Sequence, residues 1–458
     1  MAGKSHFDLL IVGGGQAGVP LAHALAAHGW SVGLAERARL GGSCVNFGCT
    51  PTKAALASAH LAAKARRAGE FGLRIPSVEV DFAAVLERAR EIAAESRISL
   101  EKRFEGRANP ELIRGHARFT GREGGGFALS IGGRDVTASQ VVLDTGARTR
   151  VPRLAGLEKV AYLHAGNWMD QQDLPGHVAF LGGGVLSLEM GQFYARLGSR
   201  VTLIMRGARN AGQEDPDVAE ALREALARDG VEFETSTTIE GITGVAGSLE
   251  LALRRDGASK TLRATHLFVA LGRRPNTDDL GLETVGVQVD EAGCVRVDER
   301  LATGVKGVWA AGDIRGGPMF TNTSWDDFRI LESQLAGDRG RTTRRIVPYA
   351  VFTDPELGRV GMTEEEAKRS GRIFDVKRFG MVRNGRAREV GEGGGFIKLL
   401  IERDTRQLLG AAVLAAAGGE LVHLYVDLMN AGAPVTMIRD AVYIHPTLAE
   451  AVQSAVTA

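Results

Sequence analysis

Twice in this chain a short apolar strand runs into a glycine-rich turn and then into a segment with helical periodicity. Few architectures accept that pattern twice. The first copy is Phe7 to Val12, the turn Gly13-Gly14-Gly15-Gln16-Ala17-Gly18, a helix over Val19 to His28 stopped by Gly29, and a strand from Ser31 to Ala35 closed by Glu36. Glycines at these spacings let the backbone approach a pyrophosphate at a helix N-terminus, and an acid ending the second strand can hold a ribose hydroxyl. A bare G-x-G-x-x-G arises easily by chance among 60 glycines, but the flanking strands, helix and acid do not. The second copy is Val178 to Leu181, the turn Gly182-Gly183-Gly184-Val185-Leu186-Ser187, a helix over Leu188 to Leu197 and a strand from Val201 to Met205. Ser187 stands where a third glycine is usual, and a small residue still allows close helix–strand packing. Here the second strand ends in Met205, followed by Arg206 and Arg209, with no acid. Cations without the acid suit the 2′-phosphate of NADPH rather than the free hydroxyl of NADH. Surface arginines that meet no ligand are the competing reading.

Two dinucleotide units leave much of the chain unassigned. At ~150 residues per domain, 458 residues predict about three domains. With 44% hydrophobic and 24% charged residues the composition is that of an ordinary soluble protein. A net charge of +1 without a polybasic block gives no reason to expect nucleic acid or an anionic membrane as partner. Three cysteines in this length argue against a disulfide scaffold and for a reducing compartment. Met1 to His6 lead straight into a strand, leaving no room for a signal peptide, and no apolar run approaches the ~20 residues of a membrane span. These features predict a cytoplasmic location.

Between the two glycine turns lies Gly41-Gly42-Ser43-Cys44-Val45-Asn46-Phe47-Gly48-Cys49-Thr50-Pro51-Thr52-Lys53, a candidate redox dithiol. Over an ideal helix the Cα atoms of Cys44 and Cys49 would lie ~8–9 Å apart, whereas a disulfide wants ~5.5–6 Å. A bridge therefore requires a turn tighter than a helix, which Gly48 permits. The other readings are a pair of zinc ligands or two inert thiols. Zinc needs four ligands, and the third cysteine is the distant Cys294, which reads as a passive thiol in a turn.

Downstream of the dithiol, Lys53 to Arg67 and Phe82 to Phe104 read as helices, and Leu112 to Phe119, Phe127 to Ile131 and Val141 to Leu143 as strands. Asp144-Thr145-Gly146 closes the region. Val308-Trp309-Ala310-Ala311-Gly312-Asp313 reads as a buried strand whose terminal carboxylate faces a ligand crevice. Thr321 to Asp327 reads as a helix start capped by Thr323 or Ser324, with Asp326 and Asp327 in its first turn. From Ile346 the pattern changes to antiparallel-type strands (Tyr349 to Thr353, Phe396 to Ile401, Leu409 to Leu414) and a helix over Glu420 to Asn430, after a polar linker from Gly337 to Arg345. Near the end, His445-Pro446-Thr447-Leu448-Ala449-Glu450 can bring Glu450 back to orient the His445 imidazole and raise its basicity.

Together, G-G-S-C-V-N-F-G-C-T-P-T-K, both glycine turns, A-A-G-D and H-P-T-L-A-E resemble, in order and over essentially the whole chain, the class I pyridine nucleotide–disulfide oxidoreductases. That family includes glutathione reductase, lipoamide dehydrogenase and mercuric reductase. Val347 to Leu357 and Thr321 to Phe328 are most similar to its mercuric-reductase-like group. The resemblance implies an α/β fold with two Rossmann-like domains and a C-terminal α+β dimerisation domain. FAD would be bound by residues 1–150 and 272–345, NADPH by 151–271, and the dimer formed by 346–458. Gly13, Gly15, Gly18, Glu36, Ser43, Ala117, Gly146, Gly312 and Asp313 would hold FAD, with Lys53 paired to Glu189 near flavin N5. Gly182, Gly184, Ser187, Arg206, Arg209 and Gly272 would serve NADPH. Cys49 would face the flavin as the charge-transfer thiolate, Cys44 would be the interchange thiol, and His445 with Glu450 would serve the dithiol of the other subunit of a homodimer.

The implied reaction takes hydride from NADPH through FAD to the Cys44–Cys49 disulfide, and from there to a small disulfide substrate. No resident metal is implied. Two other readings remain: reduction of Cu(II) or Hg(II) by the same dithiol, and a flavin-binding component of a larger complex, as lipoamide dehydrogenase is. The chain ends Ala455-Val456-Thr457-Ala458, without the terminal cysteine pair usual in mercuric reductases, and Met205 replaces the acid usual in lipoamide dehydrogenases. Glutathione reductases often carry a tyrosine where Val185 stands, and Asp144 replaces the family's usual alanine.

Overall fold

The computed structural model describes residues 5–458, so Met1 to Lys4 of the expected N-terminal lead-in lie outside the described residues. The strand Ser5–Val12 is the centre of the first sheet. It pairs in parallel with Val32–Glu36 on one side and Arg134–Leu143 on the other. The side chains of Leu9, Leu10 and Ile11 are fully buried, as expected for a strand covered on both faces. Glu111–Arg114 adds to the Val32–Glu36 edge, the antiparallel strands Gly126–Ile131 and Ala117–Glu123 extend the other side, and Val308–Ala310 returns from far along the chain to pair with Arg134–Leu143.

The chain leaves this sheet through Ala147–Thr149 and comes back through Arg273–Pro275, and these two short strands pair with each other. Everything between them forms a second unit. Its parallel sheet runs Val231–Glu234, Arg200–Ile204, His177–Leu181, His266–Val269, with an antiparallel meander (Thr238–Val245, Ser248–Arg255, Ala258–Ala264) beside it. The last part is a five-stranded antiparallel sheet ordered Tyr349–Val351, Glu356–Gly361, Leu408–Ala415, Phe396–Glu402, Phe374–Gly380. One apolar core joins all three parts. It contains Ala55 and Ala59 of the helix Cys49–Arg66, Phe180 and Phe193 of the second unit, and Leu357 and Phe396 of the last sheet. The helix carrying the second cysteine is thereby held from three directions.

Several elements differ from the sequence reading. The stretch expected as one strand, Leu112 to Phe119, is two strands broken at Gly115, whose φ of +146° only glycine adopts easily. The helix expected from Lys53 begins four residues earlier, at Cys49, and ends at Arg66. The helix expected over Glu420 to Asn430 is two pieces, Gly418–Leu421 and His423–Asn430. The helix Thr321–Ala336 starts before Thr323 and Ser324, with no side-chain cap. Asp326 and Asp327 therefore fall in its second turn rather than its first. The meander and the helix Pro216–Arg228 were not anticipated. Among the described residues no helix is long and apolar enough to cross a membrane.

Candidate active site

A continuous cleft of about 1460 Å³ runs through the first unit and opens between all three parts. At one end stands Glu36, whose carboxylate accepts the Gly14 amide at 2.8 Å and the Ala38 amide at 2.7 Å. It is thus fixed at the strand end, where a ribose hydroxyl can meet it. Along the wall, Gly13 has φ +112° and a Cβ there would lie 2.2 Å from the Asp144 carbonyl oxygen. A Cβ on Gly18 would lie 2.1 Å from the Gly13 carbonyl oxygen. These glycines make room for close packing of turn, helix and sheet, and leave backbone facing the cleft. Gly15, Ser43, Ala117, Gly146 and Asp313 line it as well. Asp313 is clamped by Arg273 at 2.7 Å, and Arg273 also donates to the Ser43 hydroxyl at 3.2 Å. The cradle, the end-strand acid and the length of the cleft fit FAD.

The cysteines lie in the middle of the same cleft. Cys44 sits in the short helix Gly42–Asn46, and Cys49 is the first residue of Cys49–Arg66, so the chain breaks at Phe47-Gly48 between them. Three contacts hold the break. The Gly48 amide donates to the Ser43 carbonyl at 2.7 Å, the Trp168 indole donates to the Phe47 carbonyl at 3.0 Å, and Asn46 donates to the carbonyls of Leu40 and Gly42. Gly48 has a negative φ, so conformational freedom is not what it supplies. A Cβ there would lie 2.8 Å from the Ser43 carbonyl oxygen, and glycine is needed for space. Both cysteines are present as thiols.

The two sulfurs are electronically unlike. Cys49 is pulled down to about 6, first because it accepts the Cys44 S–H, then through Thr321 and the Lys53 charge, against the opposing cost of burial. Cys44 is pushed up by donating that hydrogen bond and by burial. The proton of the pair therefore favours Cys44, and Cys49 has the greater thiolate character. The Thr321 hydroxyl lies 3.3 Å from the Cys49 sulfur, a partner the sequence reading missed because the two residues meet only through the fold. Thr321→Val is expected to raise the Cys49 pKa. Losing one hydrogen bond of ~1 kcal/mol should slow alkylation of reduced enzyme about threefold near pH 6, with convergence on the wild-type rate above pH 9. An unchanged pH profile would remove Thr321 from the thiolate's support.

Lys53, one turn along the helix, forms a 2.8 Å ion pair with Glu189 from the helix Val185–Leu197 of the second unit. Glu189 is buried, and its other oxygen accepts the Phe352 amide at 2.9 Å, while the Lys53 ammonium lies 4.7 Å over the Phe352 ring. One carboxylate thus ties together the dithiol helix, the second glycine turn and the last sheet. Gly184, Val185 and Gly272 line the cleft beside this pair. Gly182 has φ +116°, and Ser187 is fully buried. Met205 tucks beneath the turn, its side chain 2.7 Å from where a Gly183 Cβ would be. Arg206 and Arg209 are exposed beyond it and form no ion pair or side-chain hydrogen bond among the described residues.

His445 and Glu450 are not part of this cleft wall. His445 Nδ1 lies 3.0 Å from Glu450 Oε1, and Glu450 also accepts the Thr447 amide at 2.8 Å. The histidine side chain is 77% exposed, and beside it Val442 and Ile444 are 100% and 79% exposed. Cys294 is buried, with its thiol pushed up by burial, and lies outside the cleft wall.

The chain belongs to the pyridine nucleotide–disulphide oxidoreductase family, whose pattern matches residues 7–327, and carries that family's dimerisation domain over 347–456. It is a flavin-dependent enzyme of that class, using FAD and a pyridine nucleotide. Relatives include a dihydrolipoyl dehydrogenase of Cupriavidus necator, 32% identical over 99% of this chain and 98% of its own length. Others are a probable pyridine nucleotide-disulfide oxidoreductase, RclA, of Escherichia coli (31%, 97% of both chains) and a mercuric reductase of Streptomyces lividans (32%, 98% and 95%). Among solved structures, the Cu(II) complex of the HOCl-induced flavoprotein disulfide reductase RclA from E. coli superposes with a TM-score of 0.89 at 31% identity, covering 98% of this chain and 99% of that one.

Proposed function

We propose that this protein is an NADPH-dependent FAD disulfide reductase that passes reducing equivalents through Cys44 and Cys49 to a small disulfide. The observation that carries this reading is the polarised cysteine pair beside the Lys53–Glu189 ion pair, in one cleft with the nucleotide turns. FAD held by Gly13, Gly15, Gly18, Glu36 and Asp313 supplies two-electron transfer between nicotinamide and sulfur. The protein's own groups do the rest. Lys53, neutralised by Glu189, fixes the floor of the cleft, Thr321 and Cys44 hold the Cys49 thiolate, and the Cys44 proton must be removed before Cys44 can attack a disulfide. Among the described residues, the groups that act on the Cys44 thiol are Cys49, Thr321 and Lys53, and none of them is an imidazole. The His445–Glu450 couple is exposed beside bare apolar side chains of the dimerisation domain. We assign it as the base for the dithiol of the other subunit in a homodimer.

The same reading assigns residues 1–150 and 272–345 to the FAD domain, 151–271 to the NADPH domain and 346–458 to the dimer interface, in a cytoplasmic enzyme. Unpaired Arg206 and Arg209, with Met205 in place of an acid, support NADPH. Replacing both arginines by alanine is expected to lower kcat/KM for NADPH roughly 10²-fold, about 3 kcal/mol of charge-assisted contact, and to leave NADH nearly unchanged. Equal losses with both nucleotides would remove the phosphate-reading role.

Reduction of metal ions is the second reading, favoured by the Cu(II) complex of the E. coli relative. Among the described residues no group of three or more His, Cys, Asp or Glu side chains could hold a metal ion, so a metal would have to meet the dithiol itself. A lipoamide-dehydrogenase-like role in a larger complex draws support from the C. necator relative, with Met205 and Arg206 against it. Anaerobic NADPH titration followed by a panel of disulfides and metal ions separates these. Reoxidation of the NADPH-reduced dithiol by one disulfide supports the proposal, reoxidation by Cu(II) or Hg(II) alone moves the function to metals, and failure of NADPH to reduce the pair refutes both.

A further inference from the structure

Three carboxylates crowd the turn at Gly312, and only two have cations. Asp327, fully buried, takes the Gly312 amide at 2.8 Å, Arg315 at 2.7 and 3.0 Å and Arg345 at 2.5 Å. Asp313 has Arg273 at 2.7 Å. Asp144, 6% exposed, forms no ion pair among the described residues. It is wedged between glycines: a Cβ on Gly15 would lie 2.7 Å from its Oδ2, and one on Gly312 would lie 2.8 Å from its Oδ1. Its Oδ2 accepts the Gly18 amide at 2.8 Å at the start of the helix Gly18–Ala27, whose own N-cap residue, Ala17, has no side chain to offer. It thus occupies the amide-rich end of the helix that the glycine turn presents to a dinucleotide, and it lines the same cleft.

An ionised carboxylate there opposes the binding of a pyrophosphate, because two anions would share one helix terminus in a low-dielectric cleft. A neutral carboxyl still accepts the Gly18 amide and adds a donor in place of the repulsion. We propose that Asp144 takes up a proton when FAD enters, so that this cradle binds a dinucleotide and a proton together. Burial, with Asp313 and Asp327 alongside, already pushes the acid well above the ordinary carboxylate range, against the pull of the Gly18 and Ala17 amides. The facing cations, Arg273, Arg315 and Arg345, are all engaged by the other two acids. The proposal rests on the family's dependence on FAD and not on any choice of substrate.

The test dilutes holoenzyme to equilibrium between pH 6 and 9 and reads released flavin by fluorescence, with no nicotinamide nucleotide or disulfide present. In the wild-type protein, flavin affinity is expected to fall with rising pH, by up to about tenfold per unit where one proton is linked. Asp144→Asn keeps the amide acceptor without the titration and should flatten that slope. Asp144→Ala should flatten it too, with looser binding than Asp144→Asn at every pH because the Gly18 amide loses its acceptor. His116, Asp313 and Cys49 also line the cleft; a slope that survives both substitutions does not come from Asp144 and overturns the proposal. A flat wild-type profile overturns it as well. Because no substrate enters, neither result depends on which disulfide or metal the enzyme reduces.

Discussion

Replacing Cys44 by serine is expected to lower disulfide turnover by roughly three orders of magnitude or more, the scale seen when a nucleophile is removed from a working constellation. Flavin content should be unchanged, since Cys44 lines the cleft but is not one of the turn glycines Gly13, Gly15 and Gly18. Cys49 loses its largest support, the Cys44 S–H, so its pKa should rise from about 6. A serine hydroxyl restores part of that hydrogen bond. Oxygen-coupled NADPH consumption, which needs the flavin alone, should survive. The measurement is steady-state turnover with disulfide and with oxygen on one preparation. If disulfide reduction persists in the serine variant, Cys44 is not the interchange thiol and the order of the two sulfurs is reversed.

The second large effect belongs to His445. Substitution by glutamine should cost about 10²- to 10⁴-fold in kcat, the range for loss of a positioned acid–base group, with a smaller loss for Glu450→Gln because the imidazole remains. The decisive experiment mixes subunits. A dimer of one Cys44→Ser chain and one His445→Gln chain contains one intact site only if the histidine serves the other subunit's dithiol. Random exchange of the two inactive homodimers should then restore about a quarter of wild-type activity, since half the dimers are mixed and each has one of two sites. If the histidine serves its own chain, every site in the mixture carries one lesion and no activity returns. The geometry that motivates the test is plain. The His445–Glu450 couple is preformed at 3.0 Å, yet it lies outside the cleft that contains both cysteines.

Much of this was legible in the sequence because it depends on local backbone requirements. A strand that must turn sharply past a pyrophosphate needs glycines at fixed spacing, and the acid or arginines ending the next strand report the ribose. Both glycine turns, Glu36 and the Arg206–Arg209 pair can therefore be proposed from one dimension. That the chain could not run as one helix between Cys44 and Cys49 was legible too, and the two helices are separated at Phe47-Gly48. Its cause was not, because the crowding at Gly48 comes from the Ser43 carbonyl and the Trp168 anchor lies in another unit. Leu112 to Phe119 and Glu420 to Asn430 were read as continuous, but the first breaks at Gly115 and the second at Val422.

By itself, the sequence determined the family and the class of fold, and it pointed to two glycine turns and a candidate redox pair, since each rests on residues close together in the chain. The tertiary structure added what polarises the pair, because Thr321 is brought to Cys49 from a helix far along the chain, while Lys53 lies one turn along the cysteine's own helix. It also decided what Asp144 does. A lone aspartate in a Gly-rich segment has no signature, and its meaning appears only when Asp313 and Asp327 arrive from another part of the chain with every nearby arginine already taken. Electrostatic roles are sums over neighbours in space, and a linear pattern records only the neighbours along the chain.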